Sequence, residues 1–219
     1  MDWLASTHFV ARNCWHPSLQ HLLNVVSVPF GFKAGFLLPS ERAVGLRAIA
    51  AKAKGTRCTS ETGMRALRWN FVGNANCSSA RTRLIDDVYA RGGAQALRGH
   101  MLLTHSFDDP FHGLVVWRYR QILASSSFTL CPEGVHVESY RLWEALEVSS
   151  IPIVTCDPYF DGLLGPSHLL PCVQDWSWTA VEAIMKQVEA NATYACAIES
   201  WYSRHKAELA SAFRRALLP

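Results

Sequence analysis

Between residues 128 and 154 the hydrophobic pattern changes period twice. Residues 128–131 form a short apolar run, and Pro132 and Gly134 close it, so the pattern predicts a strand and a turn. Ser139 then offers a helix N-cap. Leu142, Ala145 and Leu146 follow at the i, i+3, i+4 spacing of one helical face, with Arg141 and Glu144 on another, to about Val148. Residues 151–154 are apolar again and predict a second buried strand. Strand, crossover helix and strand within this length make a right-handed βαβ unit of a parallel sheet.

The rest of the chain repeats this grammar more weakly. Residues 8–11 predict a strand that ends in a polar loop. Residues 24–28 predict another, followed by a loop punctuated by Gly31 and Gly35. Residues 41–54 read as a helix with Leu46 and Ile49 inward, and 56–63 as loop. Trp69 begins a strand that turns at Gly73. A helix over 80–89 follows, capped by Ser78 or Ser79, with Leu84, Ile85 and Val88 inward, and Gly92 and Gly93 end it. A short strand at Leu102 or Leu103, a polar loop over 104–113 and a helix over 115–124 lead back to the central unit. Beyond it come a loop over 155–162, a strand over 168–173, a helix over 176–189 with Thr179 as cap, and a mostly helical tail over 191–218.

Composition narrows the class. The chain has 219 residues, 49% hydrophobic and 18% charged, which is globular and enough for one large domain. A net charge of +3 suits a small anionic ligand, and no basic stripe with interleaved aromatics points to nucleic acid. The eight Trp are many for this size, and ordinary core packing accounts for most of them. The seven Cys include no C-x-x-C pair, so a zinc site is not expected, and the odd number leaves a free thiol. Asn76 and Asn191 stand in N-x-[ST] sequons. No apolar run reaches the length of a transmembrane helix, and the first residues lack the form of a signal peptide.

The candidate chemistry gathers at the turn of the central unit. The loop over 131–138 leaves the carboxyl end of a strand and enters a helix N-terminus, where open α/β sheets bind ligands. Free backbone N–H groups and the helix dipole favour an anion there, typically phosphate. The loop is neither G-x-G-x-x-G nor Walker-type, which excludes the usual dinucleotide and P-loop readings. Glu144, one turn into the helix, is placed to accept from a sugar or ribose hydroxyl. Arg81 or Arg83, in the first turns of the 80–89 helix, can face a diphosphate while the other points away. Lys33 can reach a phosphate. His16 and His21 titrate in the right range for catalysis, although loop hydrogen bonds explain them as well. Asp157 and Asp161 are candidate acids or turn residues.

The string Ser127-Phe-Thr-Leu-Cys-Pro-Glu-Gly, then Glu138-Ser-Tyr-Arg-Leu-Trp-Glu-Ala-Leu, then Ser150-Ile-Pro-Ile-Val resembles the exostosin-like glycosyltransferases. The likeness is strongest to the C-terminal domain of the ribitol β-1,4-xylosyltransferase type. Residues 24–36, 69–84 and the pair Asp175-Trp176 resemble further family segments in the same order, so the likeness spans roughly residues 8–190. It implies a GT-B architecture whose C-terminal, Rossmann-like α/β lobe binds a nucleotide sugar, usually a UDP-sugar, without a further cofactor. Residues 67–219 would be that lobe, and 1–66 a truncated remnant of the N-terminal lobe and linker. Catalysis would be inverting and metal-independent, with a glycan as acceptor, in the Golgi or endoplasmic reticulum lumen. On that pattern Glu144 holds the ribose or uridine portion, and Gly134, Ser139 and Arg141 line the diphosphate. Gly73, Glu138, Arg81, Arg83 and Lys33 complete the donor-binding set. The general base is expected from the N-terminal lobe, so none is named here. A binding module that holds the nucleotide sugar without turnover, and a flavodoxin-like domain for another phosphate ligand, are the alternatives.

Overall fold

The computed structural model describes residues 10–19, 21–22, 24–33, 35–36, 65–104 and 113–217. The expected helix over 41–54, the loop over 56–63 and most of the loop over 104–113 lie outside them. The described residues fall into two compact units.

The larger unit carries a five-stranded, all-parallel sheet. Its strands are β3 (Leu67–Asn74), β4 (Gly99–Thr104), β5 (Ser126–Cys131), β6 (Ile151–Thr155) and β7 (Cys172–Val173), in the order β4-β3-β5-β6-β7. Between them run α1 (Ser79–Ala90), α2 (Gly93–Ala96), α3 (Val116–Ser125) and α4 (Tyr140–Glu147), and α6 (Trp178–Ala190) follows β7. α3 packs on β3, β5 and α4, while α1 packs on α6. The architecture is therefore a Rossmann-like α/β lobe, in line with the βαβ pattern of residues 128–154 and with what the family resemblance implies. β5 and β6 are buried along nearly their whole length, so residues 128–131 and 151–154 read as apolar runs rather than alternations, while β3 also buries two polar residues, Asn70 and Asn74.

Packing explains several details. Trp69 packs against Trp178 as a tilted pair, with ring centroids 5.0 Å apart. Gly99, its neighbour across β3 and β4, leaves the space that the Trp69 ring fills. Phe36, Val72, Tyr119, Ile122, Leu123 and Val148 form a buried cluster on the α3 side of the sheet. Arg68, at the start of β3, reaches Glu189 at 2.9 Å and Glu182 at 3.4 Å on α6. Two helices are capped by serines: Ser78 Oγ accepts from Arg81 N and Ser177 Oγ from Ala180 N, so the expected Thr179 cap falls inside α6.

The smaller unit includes a parallel pair, β1 (Val10–Arg12) and β2 (Val25–Ser27), and the helix α5 (Pro158–Leu164). α7 (Tyr194–Leu217) contributes residues to both units. Two expectations change here. The region expected as a ligand loop is a helix: Asp157 caps it by accepting from Tyr159 N at 2.8 Å, and Pro158 stands in its first turn. Asp-Pro is as good a helix start as a turn, because proline's fixed φ suits the first helical position. The strand expected over 168–173 shortens to Cys172–Val173. His16 bonds to Ser18 within its own loop, 2.7 Å from Nδ1 to Oγ, and His21 is exposed.

Candidate functional site

The strand order reverses between β3 and β5. The chain leaves β3 toward β4 on one side, and leaves β5 toward β6 on the other. In doubly wound sheets the loops beyond two such strands diverge and leave a crevice at their carboxyl ends. The loop after β3 leads into α1, and the loop after β5 leads into α4. The residues joining them are the centre of the site.

Arg81, in the first turn of α1, is buried and crosses from one loop to the other. Its Nη1 donates to Asn74 O at 2.8 Å and its Nε to Glu133 O at 3.1 Å, while Ser78 Oγ donates to the same Glu133 oxygen at 2.7 Å. Gly134 gives Arg81 room, because a Cβ there would stand 2.8 Å from Arg81 Nη2 and the guanidinium would have to shift. Arg141, in the first turn of α4, is also buried. Its Nε donates to Val72 O at 2.8 Å and its guanidinium lies 4.8 Å from the Phe71 ring centroid, with Arg81 at 5.9 Å from the same ring. Gly73 makes room for Arg141, since a Cβ there would collide with Nη2.

Two buried cations thus flank one ring with no carboxylate salt bridge to either among the described residues. Burial, with the neighbouring Arg141 charge second, pulls the Arg81 pKa down to about 10. Burial outweighs the same two cations at Cys131 and pushes its thiol up to about 12. Arg141 Nη1 is buried and has no hydrogen-bond partner among the described residues, and 95% of the Arg141 surface is covered. Ser139, the α4 N-cap residue, does not cap with its side chain. Its buried Oγ makes no well-formed hydrogen bond beyond a loose approach to the Cys131 thiol. An orphaned guanidinium N–H, an orphaned hydroxyl and the first free amides of a helix converge at one helix N-terminus. These groups want an anion.

The other expected residues sort around this centre. Arg83 points away, into an exposed ion pair with Asp175 at 2.9 Å. Glu138 accepts from the Trp143 indole at 2.7 Å and is buried. Glu144 shares no solvent face with Arg141, because every residue of α4 from Arg141 to Glu147 is buried. Its Oε2 accepts from Tyr119 O–H at 2.6 Å and its Oε1 from the backbone N–H of Lys33 at 3.1 Å. Burial raises the Glu144 pKa, against the pull of Tyr119, Lys33 and Arg141, and it lifts that of Tyr119 well above the ordinary range. Lys33 therefore contributes its backbone to Glu144, and its side chain is half-buried.

One residue was not singled out from the sequence. Glu133, between Pro132 and Gly134, is half-exposed, and its Oε2 meets Thr155 Oγ1 at the end of β6. The Trp176 indole donates to that same Thr155 oxygen at 2.9 Å. A carboxylate inside an anion-loop motif is a usable signal, although the sequence alone does not show which way it points. Asp175, beside Trp176, accepts from Ser177 N at 3.1 Å and so shapes the start of α6.

The profile of the RXYLT1 C-terminal domain matches residues 56–218. The chain belongs to that family. Ribitol-5-phosphate xylosyltransferase 1 of Danio rerio is 31% identical over 115 residues, which are 46% of this chain and 26% of that protein. The match spans about a quarter of the relative's length. The relative is by name a xylosyltransferase, so the RXYLT1 C-terminal domain family falls among the glycosyltransferases. Among the described residues no helix is long and apolar enough to cross a membrane, and no His, Cys, Asp and Glu cluster has the form of a metal site.

Proposed function

We propose that this chain provides the donor-binding lobe of an inverting glycosyltransferase that takes a sugar from a UDP-sugar and delivers it to a glycan. The observation that carries this reading is the unpaired arginine pair at the switch point, with the orphaned Arg141 Nη1 and Ser139 Oγ at the start of α4. A diphosphate has the charge and the acceptor oxygens to satisfy all of them. In transfer the sugar–phosphate bond breaks and negative charge builds on the leaving UDP. Arg81, Arg141 and the α4 dipole are preorganised to stabilise it where it develops. Ser139 would donate to a phosphate oxygen. Glu144 acts by position, tying the Lys33 backbone to α3 and α4 through its bonds to the Lys33 amide and the Tyr119 hydroxyl. The disulfide Cys156–Cys172 supports an oxidising lumen, the Golgi or endoplasmic reticulum, as the working compartment.

A second reading keeps the ligand and drops the turnover. The buried carboxylates near the anion site are engaged, Glu138 by Trp143 and Glu144 by Tyr119, and neither is free to serve as base.

Titration calorimetry with UDP on the whole chain tests both readings. Binding is expected, and Arg141→Ala should weaken it by about 1.5–3 kcal/mol, the worth of a hydrogen bond to a charged group. Gly73→Ala should weaken it too, by displacing the same guanidinium. Undiminished UDP affinity in a folded Arg141→Ala protein removes the arginine pair from the site. Inorganic phosphate binding without UDP binding refutes the donor reading.

A further inference from the structure

Resting on that donor reading, we infer that Glu133 is the hydrogen-bond acceptor for a hydroxyl of the sugar being transferred, and so separates nucleotide sugar from free nucleotide.

The geometry fixes the direction of a short relay. A threonine hydroxyl carries one hydrogen. Thr155 Oγ1 accepts the indole N–H of Trp176, so its own hydrogen is given to Glu133 Oε2. Trp176 is 2% exposed and cannot swing away without leaving its packing. The carboxylate is therefore aimed from β5 toward the ends of β6 and β7. Its backbone is held just as firmly, because Ser78 and Arg81 both donate to Glu133 O. Arg81 donates to that backbone oxygen and not to the carboxylate, which it meets only as a nearby charge, so the carboxylate oxygens stay open to a hydroxyl donor. Glu133 Oε1 has no hydrogen-bond donor among the described residues, and Oε2 keeps one lone pair.

This leaves an oriented, half-exposed carboxylate at the carboxyl edge of the sheet, one residue from Gly134. Phosphate is the wrong partner for it, since both are anions. Hydroxyl groups are the right one, because a carboxylate is an acceptor only and a sugar presents several O–H donors. The cationic side of the site, toward β3, suits the diphosphate. The carboxylate side, toward β6 and β7, suits what hangs from it.

The test compares UDP with UDP-xylose on the whole chain by calorimetry. Glu133→Ala should weaken UDP-xylose by about tenfold and leave UDP within about twofold, since one charged hydrogen bond to the sugar is lost and none to the nucleotide. Glu133→Gln, which keeps an acceptor oxygen, should lose less. Thr155→Val, which frees the carboxylate to wander, should show the same selectivity on a smaller scale. A folded Glu133→Ala protein that binds both ligands as the parent does, or loses both equally, overturns the assignment and leaves the donor reading standing. A parent chain that binds neither ligand overturns both.

Discussion

Glu144 is a carboxylate held away from water by Tyr119 and the Lys33 amide, and this ties its ionisation to folding. Its folded pKa lies above the ordinary value of 4.5, because the cost of burying the charge exceeds what its hydrogen bonds return. The folded protein therefore binds this proton more tightly than the unfolded chain does. The stabilisation from this group is complete below about pH 4.5 and is lost as the pH climbs through the raised value. Glutamine is the matching control: its oxygen can accept from Lys33 N–H, and its amide can donate to the Tyr119 oxygen. The stability of the parent relative to Glu144→Gln should be greatest in acid and decline toward neutrality, followed by urea unfolding from pH 4 to 8. A difference that stays flat across that range means Tyr119 and Lys33 compensate the burial in full. The sequence places Arg141 and Glu144 three apart on a helix face that looks polar. It does not show that Tyr119, twenty-five residues earlier, covers that face. Arg81 and Arg83 were distinguishable only by structure. Their alternation was legible, but which one faces the loop depends on where β5 ends.

At the scale of elements, the unit β5–α4–β6 was legible because each boundary carries its own local signal: Pro132 and Gly134 after the strand, Ser139 before the helix, β-branched residues in β6. β7 was legible in place but not in length: the pattern predicts a strand over 168–173, and only Cys172–Val173 pairs, because its extent is set from outside. It pairs with β6 through Val154 and Cys172, and Thr155 and Val173. The bridge from Cys156 to Cys172 spans the same edge across a sequence separation of 16. A strand this short has few ladder hydrogen bonds of its own, so the crosslink adds a covalent restraint to the edge where β7 pairs with β6. Closing a loop of that length in the unfolded chain is worth about 3 kcal/mol. The double variant Cys156→Ala, Cys172→Ala should lose roughly that much in urea unfolding. Reductant should destabilise the parent by about that much more than the variant, which keeps only the bridge at Cys196 to lose. Equal sensitivity of both proteins to reductant would place the effect elsewhere, for example at Cys196, which is also disulfide-bonded.

For the whole molecule, the two units differ in how their strands are protected. In the larger one, β3, β5 and β6 are buried on both faces, and β5 has a neighbour on each side, β3 and β6. Their amides exchange with solvent only when much of the sheet opens. In the smaller one, β1 and β2 are three residues each, with no residue fully buried. Two short strands hold each other weakly, so they open by local fluctuation rather than by global unfolding. Hydrogen exchange read by mass spectrometry should find peptides over β5 and β6 the slowest and those over β1 and β2 faster by orders of magnitude. UDP should add protection at the loops after β3 and β5 and along the start of α4, where the arginines sit, and leave β1 and β2 unchanged. Slow exchange at β1 and β2 equal to that at β5 would contradict this ordering. Protection that UDP spreads evenly over both units would contradict a site confined to the switch point.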